Sequence, residues 1–335
     1  MKRPDGTWDT FDDYVLDFAI ERMRARERVA IVTLVEIEGS SPRPLGAQMA
    51  VSETGAWTGY LSGGCIERAV AAEAVDAIAS GRCRRVRYGR GSRYIDISLP
   101  CGSAIELVFD IDVSLRQLEQ IDQRLLNRYE AVLNVPLGGP DMDGGGNEKA
   151  LFARLYRPRR RLAVFGIGPV PVQLTRIAVA AGFEVVVHTP DELTASGARD
   201  AGAVIGSLDG MAGVDDRSAI VFAFHDHDRE ERLLPAALAT DAFYIGAMGS
   251  RATQATRLER LEKQGFGRRE LERIQGPAGL LPHARSASDL AISIMAEVVE
   301  AARSAGEGDH ASHRTRMASW PRQPGTDESS AEARL

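Results

Sequence analysis

Leu162-Ala163-Val164-Phe165-Gly166-Ile167-Gly168-Pro169-Val170-Pro171 decides the fold of half the chain. Four apolar residues run into two glycines, and apolar positions then recur at helical spacing as far as Ala181. Gly182 stops that helix, and Phe183-Glu184-Val185-Val186-Val187 resumes as a strand. Strand, glycine turn, helix and strand at this spacing make the opening βαβ unit of a dinucleotide-type sheet. The turn keeps two glycines of the dinucleotide fingerprint and puts Pro171 at the third. Prolines at 169 and 171 remove N–H donors that a pyrophosphate would use. The second strand ends in His188-Thr189-Pro190, where an acidic residue would meet a ribose, and the nearest acid is Asp191. The pattern specifies a Rossmann-like fold and argues against NAD(P).

Further apolar strands are expected at 203–205, 218–224 and 243–245, with helices between and a terminal helix over 287–304. This doubly wound domain covers 161–304, and residues 305–335 lack periodicity and are expected to be a disordered tail. The first domain, 10–110, reads as mixed α/β. It has a helix from about Thr10 to Arg26 capped by Thr10, and a buried strand Val29 to Val35. A hairpin turns at Glu53–Ala56, a helix runs from about Gly64 to Ser80 with Gly81 as its stop, and strands lie at 84–88, 94–99 and 104–110. Residues 111–160 read as a connecting segment with a helix near 115–127, a strand at 131–135 and a glycine-rich linker. The run Arg157-Pro158-Arg159-Arg160-Arg161 reads as a solvated boundary.

The chain has 335 residues, 44% apolar and 26% charged, with a formal charge of −6, which argues against nucleic acid and anionic membrane as main partners. It shows no signal-peptide pattern and no apolar run long enough to span a bilayer, so the cytoplasm is expected. Three cysteines are too few for a disulfide framework or an all-thiolate zinc site. Each must be judged by its surroundings. Ser62-Gly63-Gly64-Cys65-Ile66-Glu67 sets a cysteine at a predicted helix start behind two glycines, suited either to an anion beside a thiolate or to a tight turn. Pro100-Cys101-Gly102 is a second glycine-flanked cysteine, whereas Cys83 has no such surroundings. Ser40, Ser41 and Arg43, in the Pro-rich stretch Gly39–Gly46, are a phosphate-binding set. In the second half, Gly166 and Gly168, His225 and Asp226 after a strand, and Gly246, Gly249, Ser250 and Arg251 mark a possible second ligand site. No metal-ligand set is assigned directly.

Taken in order, these stretches resemble the xanthine dehydrogenase accessory factor family (XdhC/CoxI). The points of likeness are Gly39–Arg43, Ser62–Cys65 with Glu67, Pro100–Gly102, Gly166-x-Gly168, His225-Asp226, Tyr244–Gly246 with Gly249–Arg251, Gly276-Pro277-x-Gly279 and Asp289–Glu297. The resemblance implies an N-terminal domain of the family's own type followed by a Rossmann-like domain. It implies a carrier without turnover chemistry that binds molybdenum cofactor, as molybdopterin or a nucleotide form. Such a carrier supports sulfuration of the cofactor with a cysteine desulfurase and delivers it to an apo-molybdenum hydroxylase subunit. Homodimer formation is implied as well. Carried over by position, Cys65 and Cys101 contact the cofactor, with Ser62, Gly63, Gly64, Glu67, Ser40, Ser41, Arg43 and Gly102 around them. The competing readings are an NAD(P)-dependent oxidoreductase and a protein-binding scaffold whose Rossmann half holds no ligand.

Overall fold

Val29 to Val35 forms the centre of the first sheet because every residue in it is buried, as an uninterrupted β-branched run requires. The structure is a computed structural model that describes residues 10, 12–92, 103–138, 142–143, 151–208, 210–224, 227–281 and 284–305. They divide into two units, one holding residues up to 115 with 133–154, the other 116–132 with 155–305. The expected connecting segment is therefore shared between the two units. The expected strand at 94–99, most of the glycine-rich linker, and the tail beyond 305 lie outside the described residues.

The first stretch of chain forms α1 (Leu16–Arg24), β1 (Val29–Glu38), β2 (Gln48–Ser52), β3 (Trp57–Gly59), α2 (Glu67–Ser80), β4 (Cys83–Gly89) and β5 (Ala104–Asp110). It continues through α3 (Leu115–Leu126), β6 (Ala131–Pro136), β7 (Met142–Asp143) and β8 (Leu151–Tyr156), with β6 and β8 paired as a ribbon. The first sheet has the order β3-β2-β1-β5-β4-β7 among the described strands, antiparallel except for β7 against β4. One face packs under α2, where Leu34, Met49, Leu107 and Phe109 meet Val70, Ala74 and Ile78. Gly81 adopts φ +67° and closes α2, as expected of a left-handed stop.

Two helix starts differ from the periodic reading. Helix α1 begins at Leu16, because the Asp12 carboxylate accepts the Tyr14 N–H at 3.0 Å and turns the chain before the helix. Helix α2 begins at Glu67, because Ser62 to Ile66 form a side-chain-bonded loop.

The second unit contains β9 (Arg161–Gly166), α4 (Pro169–Ala180), β10 (Glu184–His188), α5 (Glu192–Asp200), β11 (Val204–Ile205) and β12 (Ser218–Ala223). It ends with α6 (His227–Leu238), β13 (Tyr244–Ala247), α7 (Arg251–Lys263), α8 (Arg268–Leu271), β14 (Ile274–Gln275) and α9 (Ala287–Ala305). The order β11-β10-β9-β12-β13-β14 is parallel throughout, and its direction reverses between β9 and β12. One face packs Leu174 of α4 with Ile294 and Val298 of α9; the other packs Leu234 of α6 with Leu261 of α7. This is the doubly wound dinucleotide-type topology that the 162–187 pattern predicts. Among the described residues no helix is long and apolar enough to cross a membrane.

Candidate functional site

The glycine–cysteine loop is held by a buried carboxylate. Glu67 Oε1 accepts the N–H of Ser62 at 2.7 Å and of Leu61 at 3.1 Å, while Oε2 accepts the N–H of Ile66 at 3.1 Å. The Ser62 hydroxyl lies 3.0 Å from both oxygens and in turn accepts the Cys65 N–H at 3.2 Å. Glu67 and Ser62 are buried, at 2% and 4% exposure, so both position the loop and neither presents its side chain to a ligand. Gly63, Gly64 and Cys65 form the exposed apex. Gly64 has φ +103°, and a Cβ built on either glycine would meet nothing within 4 Å. The apex thus offers open space over bare backbone beside a free thiol. A bulky ligand can approach the chain closely there, and the sulfur is a soft donor.

The Pro-rich loop touches both of its neighbours. At one end, a Cβ on Gly39 would stand 3.1 Å from Cβ of Ser103, the described flank of the second cysteine segment. At the other end, the Arg43 guanidinium lies 4.0 Å over the Tyr60 ring, donates to its hydroxyl at 2.9 Å and pairs with Asp13. Tyr60 is two residues before Ser62. Ser41 Oγ accepts the Arg43 N–H at 3.2 Å, and Ser40 is exposed. Strand register alone would leave the loops apart. Gly59 is level with Met49 and hence Val32, whereas Ala104 is level with Glu38. Six residues of extended chain and three strand steps separate those roots, about 20 Å along and ~14 Å across. The Pro-rich loop spans that interval. Cys101 and Gly102 lie outside the described residues.

Gly59 shows why the loop starts where it does. A Cβ there would stand 2.4 Å from the Gln48 carbonyl and 2.7 Å from Val15, and φ is +95°. Cys83, by contrast, is buried between Asp110 and Asp112, and burial pushes its thiol up to about 12. It stays protonated and apart from the loops.

In the second unit the glycine turn after β9 is closed by its own neighbours. The Gly168 N–H donates to Thr194 Oγ1 at 2.8 Å, and Thr194 donates its N–H and hydroxyl to Asp191, the α5 cap, at 2.8 and 2.6 Å. Asp191 is therefore a capping residue. Gly166 is a packing glycine, since a Cβ there would lie 2.6 Å from the Ala223 carbonyl. The same holds for Gly246, whose Cβ would stand 2.4 Å from Tyr244 Oη. His188 stacks on Phe165 at 4.1 Å with Nδ1 against the Ser207 carbonyl at 2.5 Å, and burial lowers its pKa. His225 and Asp226 lie outside the described residues.

Gly249, Ser250 and Arg251 line a cleft of about 970 Å³ with Phe224, Met248 and the 277–281 segment. Ser250 caps α7 by accepting the Thr253 N–H at 3.0 Å, and Gly249 turns at φ +143°. The far wall is pinned to α9: Glu297 accepts both the Gly279 N–H and the Tyr244 hydroxyl at 2.6 Å, and Ser293 accepts the Leu281 N–H at 2.7 Å. The cleft sits at the carboxyl ends of β12, β13 and β14, where such sheets bind ligands. Tyr60, Asp13, Thr194, Ser293 and Glu297 carry no site signal of their own in the sequence. Tyr60, Asp13 and Thr194 lie in none of the motifs named above, and their partners Arg43 and Gly168 are 17 or more residues away. Ser293 and Glu297 do lie in the Asp289–Glu297 stretch, but spacing gives no sign that they hold Leu281 and Gly279, 12 and 18 residues upstream.

Residues 23–89 match the XdhC and CoxI family, and residues 162–298 match the XdhC Rossmann domain. The chain is 36% identical over 295 residues to the molybdenum cofactor insertion chaperone PaoD of Escherichia coli, covering 86% of this chain and 88% of that one. It is 24% identical to a probable xanthine dehydrogenase subunit of Bacillus subtilis, over 82% and 93% of the two chains. A crystal structure from Bacillus halodurans, described as a xanthine dehydrogenase, shares the fold with a TM-score of 0.70. It covers 86% of this chain and 96% of that one at 22% identity.

Proposed function

The chain belongs to the XdhC and CoxI family, and from that premise we propose that it is a carrier that holds molybdenum cofactor and inserts it into a molybdenum hydroxylase. The observation that carries this reading is the exposed Gly63-Gly64-Cys65 apex, held rigid from below by Glu67 and Ser62. Reversible delivery needs a ligand grasped at an open surface, and a single thiol above bare backbone provides that. In this reading Cys65 faces the metal–sulfur end, and backbone N–H groups with Ser40 and the Arg43 loop face the phosphate. Cys101 and Gly102, outside the described residues, are assigned to the cofactor by the family resemblance alone. The cargo's terminal sulfido ligand is supplied with a cysteine desulfurase, and the working form is a homodimer. The cofactor is carried as molybdopterin or its nucleotide form.

The deciding assay is activation of an apo-hydroxylase by protein purified from a host that makes the cofactor. Activation with loss in Cys65→Ala supports the carrier. The oxidoreductase reading requires tight binding of NAD(H) or NADP(H), which is opposed by the occupied Gly168 N–H and the two prolines that open α4.

A further inference from the structure

Arg157-Pro158-Arg159-Arg160-Arg161 is not a solvated boundary, because it is drawn into the amino-terminal edge of the second sheet. Arg157 Nε donates to Glu130 at 2.8 Å, and Arg161 Nη2 donates to Glu184 at 2.9 Å. Arg128 grips Asp215 with two bonds of 2.8 and 3.0 Å and donates to the Arg159 carbonyl at 2.7 Å. Strand pairing brings in Arg217, whose carbonyl accepts the Arg161 N–H at 3.0 Å and whose Nε donates to the Pro158 carbonyl at 2.8 Å.

Two guanidinium groups are left over. Arg160 is half-buried and makes no side-chain hydrogen bond or ion pair among the described residues. Arg217 is also half-buried, and its only side-chain bond among the described residues is the one from Nε to Pro158. Burial and the charges of Arg160, Arg157 and Arg128 lower the proton affinity of Arg217, while Asp216 raises it. A partly desolvated cation without a hydrogen-bonded counter-charge is destabilising, so an anion reaching both groups would be favoured. The patch stands out in a chain of net charge −6.

We propose that this arginine edge docks an acidic segment of a partner protein, whose carboxylates bridge Arg160 and Arg217. The arginines come from three connections, at the end of α3, before β9 and before β12, and so lie along an edge. Neither the cleft at Gly249–Arg251 nor the smaller cavity between α6 and α7 is lined by them. A strung-out set suits an extended chain better than one small anion, and the planar guanidinium matches carboxylates in pairs. The edge is opposite the carboxyl ends of the strands, so a docked partner leaves the ligand end open. This inference needs a protein partner but no particular cargo.

The test is fluorescence anisotropy of a labelled Glu/Asp-rich peptide titrated with the full chain at low and high salt. Saturable binding that weakens with salt is expected. The double variant Arg160→Gln with Arg217→Gln should lose at least about tenfold in affinity, while Arg268→Gln, on the exposed α8, should lose none. Arg160→Gln alone should leave the melting temperature unchanged or raised, which separates lost docking from lost folding. Three results overturn the proposal. These are equal peptide binding by wild type and double variant, displacement of the peptide by inorganic phosphate at low millimolar concentration, or binding to phosphatidylserine vesicles in place of the peptide.

Discussion

Glu67 and Ser62 are tied to each other through both backbone and side chain: the carboxylate accepts the Ser62 N–H at 2.7 Å and the Ser62 hydroxyl at 3.0 Å. The exposed thiol of Cys65 is attached to this pair through its own N–H. Rigidity below and openness above are separated within six residues.

Glu67→Gln should therefore weaken both stability and cargo retention. Whichever way the amide turns, its NH2 faces an N–H group of Ser62 or Ile66. The expected cost is about 1–3 kcal/mol, read by denaturant unfolding. Retention should fall although Cys65 is untouched. Unchanged stability would mean that the carboxylate does not hold the loop.

Cys65→Ala should behave in the opposite way. The side chain is exposed, so stability should stay within about 0.5 kcal/mol of wild type while cargo retention is lost.

The cysteines should also differ in reactivity. With its thiol pushed up to about 12 by burial, Cys83 should remain unmodified by iodoacetamide at mildly alkaline pH in the native protein. Cys65 should be labelled, and peptide mapping by mass spectrometry reads both. Modification of native Cys83 at the rate of Cys65 would contradict its placement between Asp110 and Asp112.

His188 gives a pH signature. Burial lowers its folded pKa, while the unfolded chain keeps the ordinary value of ~6.5. As pH falls through ~6.5 the unfolded state takes up a proton that the folded state refuses, so stability declines until the folded value is passed. His188→Asn should flatten this part of the profile in thermal melts across mildly acidic pH. An unaltered profile would assign the acid loss to other groups.

Much of this architecture is legible in local pattern. The 162–187 stretch predicts β9, α4 and β10 within a residue or two, because a buried parallel strand and an amphipathic helix have different periods. Gly81 and the Glu53–Ala56 turn are equally local. The start of α1 is not, because Thr10 has the right chemistry for a cap but Asp12 turns the chain first. The site is less legible than the fold. Glu67 reads as a ligand residue until its carboxylate is seen folded back on Ser62, and Asp191 reads as a near miss for a ribose acid until it is seen capping α5. The Arg43–Tyr60–Asp13 contact joins three segments that no spacing rule relates. Side-chain direction decides these roles, and sequence spacing carries little of it.

The most direct measurement is pterin and molybdenum content of the full chain purified from a cofactor-producing host, beside Cys65→Ala made in parallel. Wild type should carry pterin and molybdenum together, and Cys65→Ala should be folded and empty. Wild type without pterin, or a Cys65→Ala protein as fully loaded as wild type, would contradict a cargo site at the Gly63-Gly64-Cys65 apex.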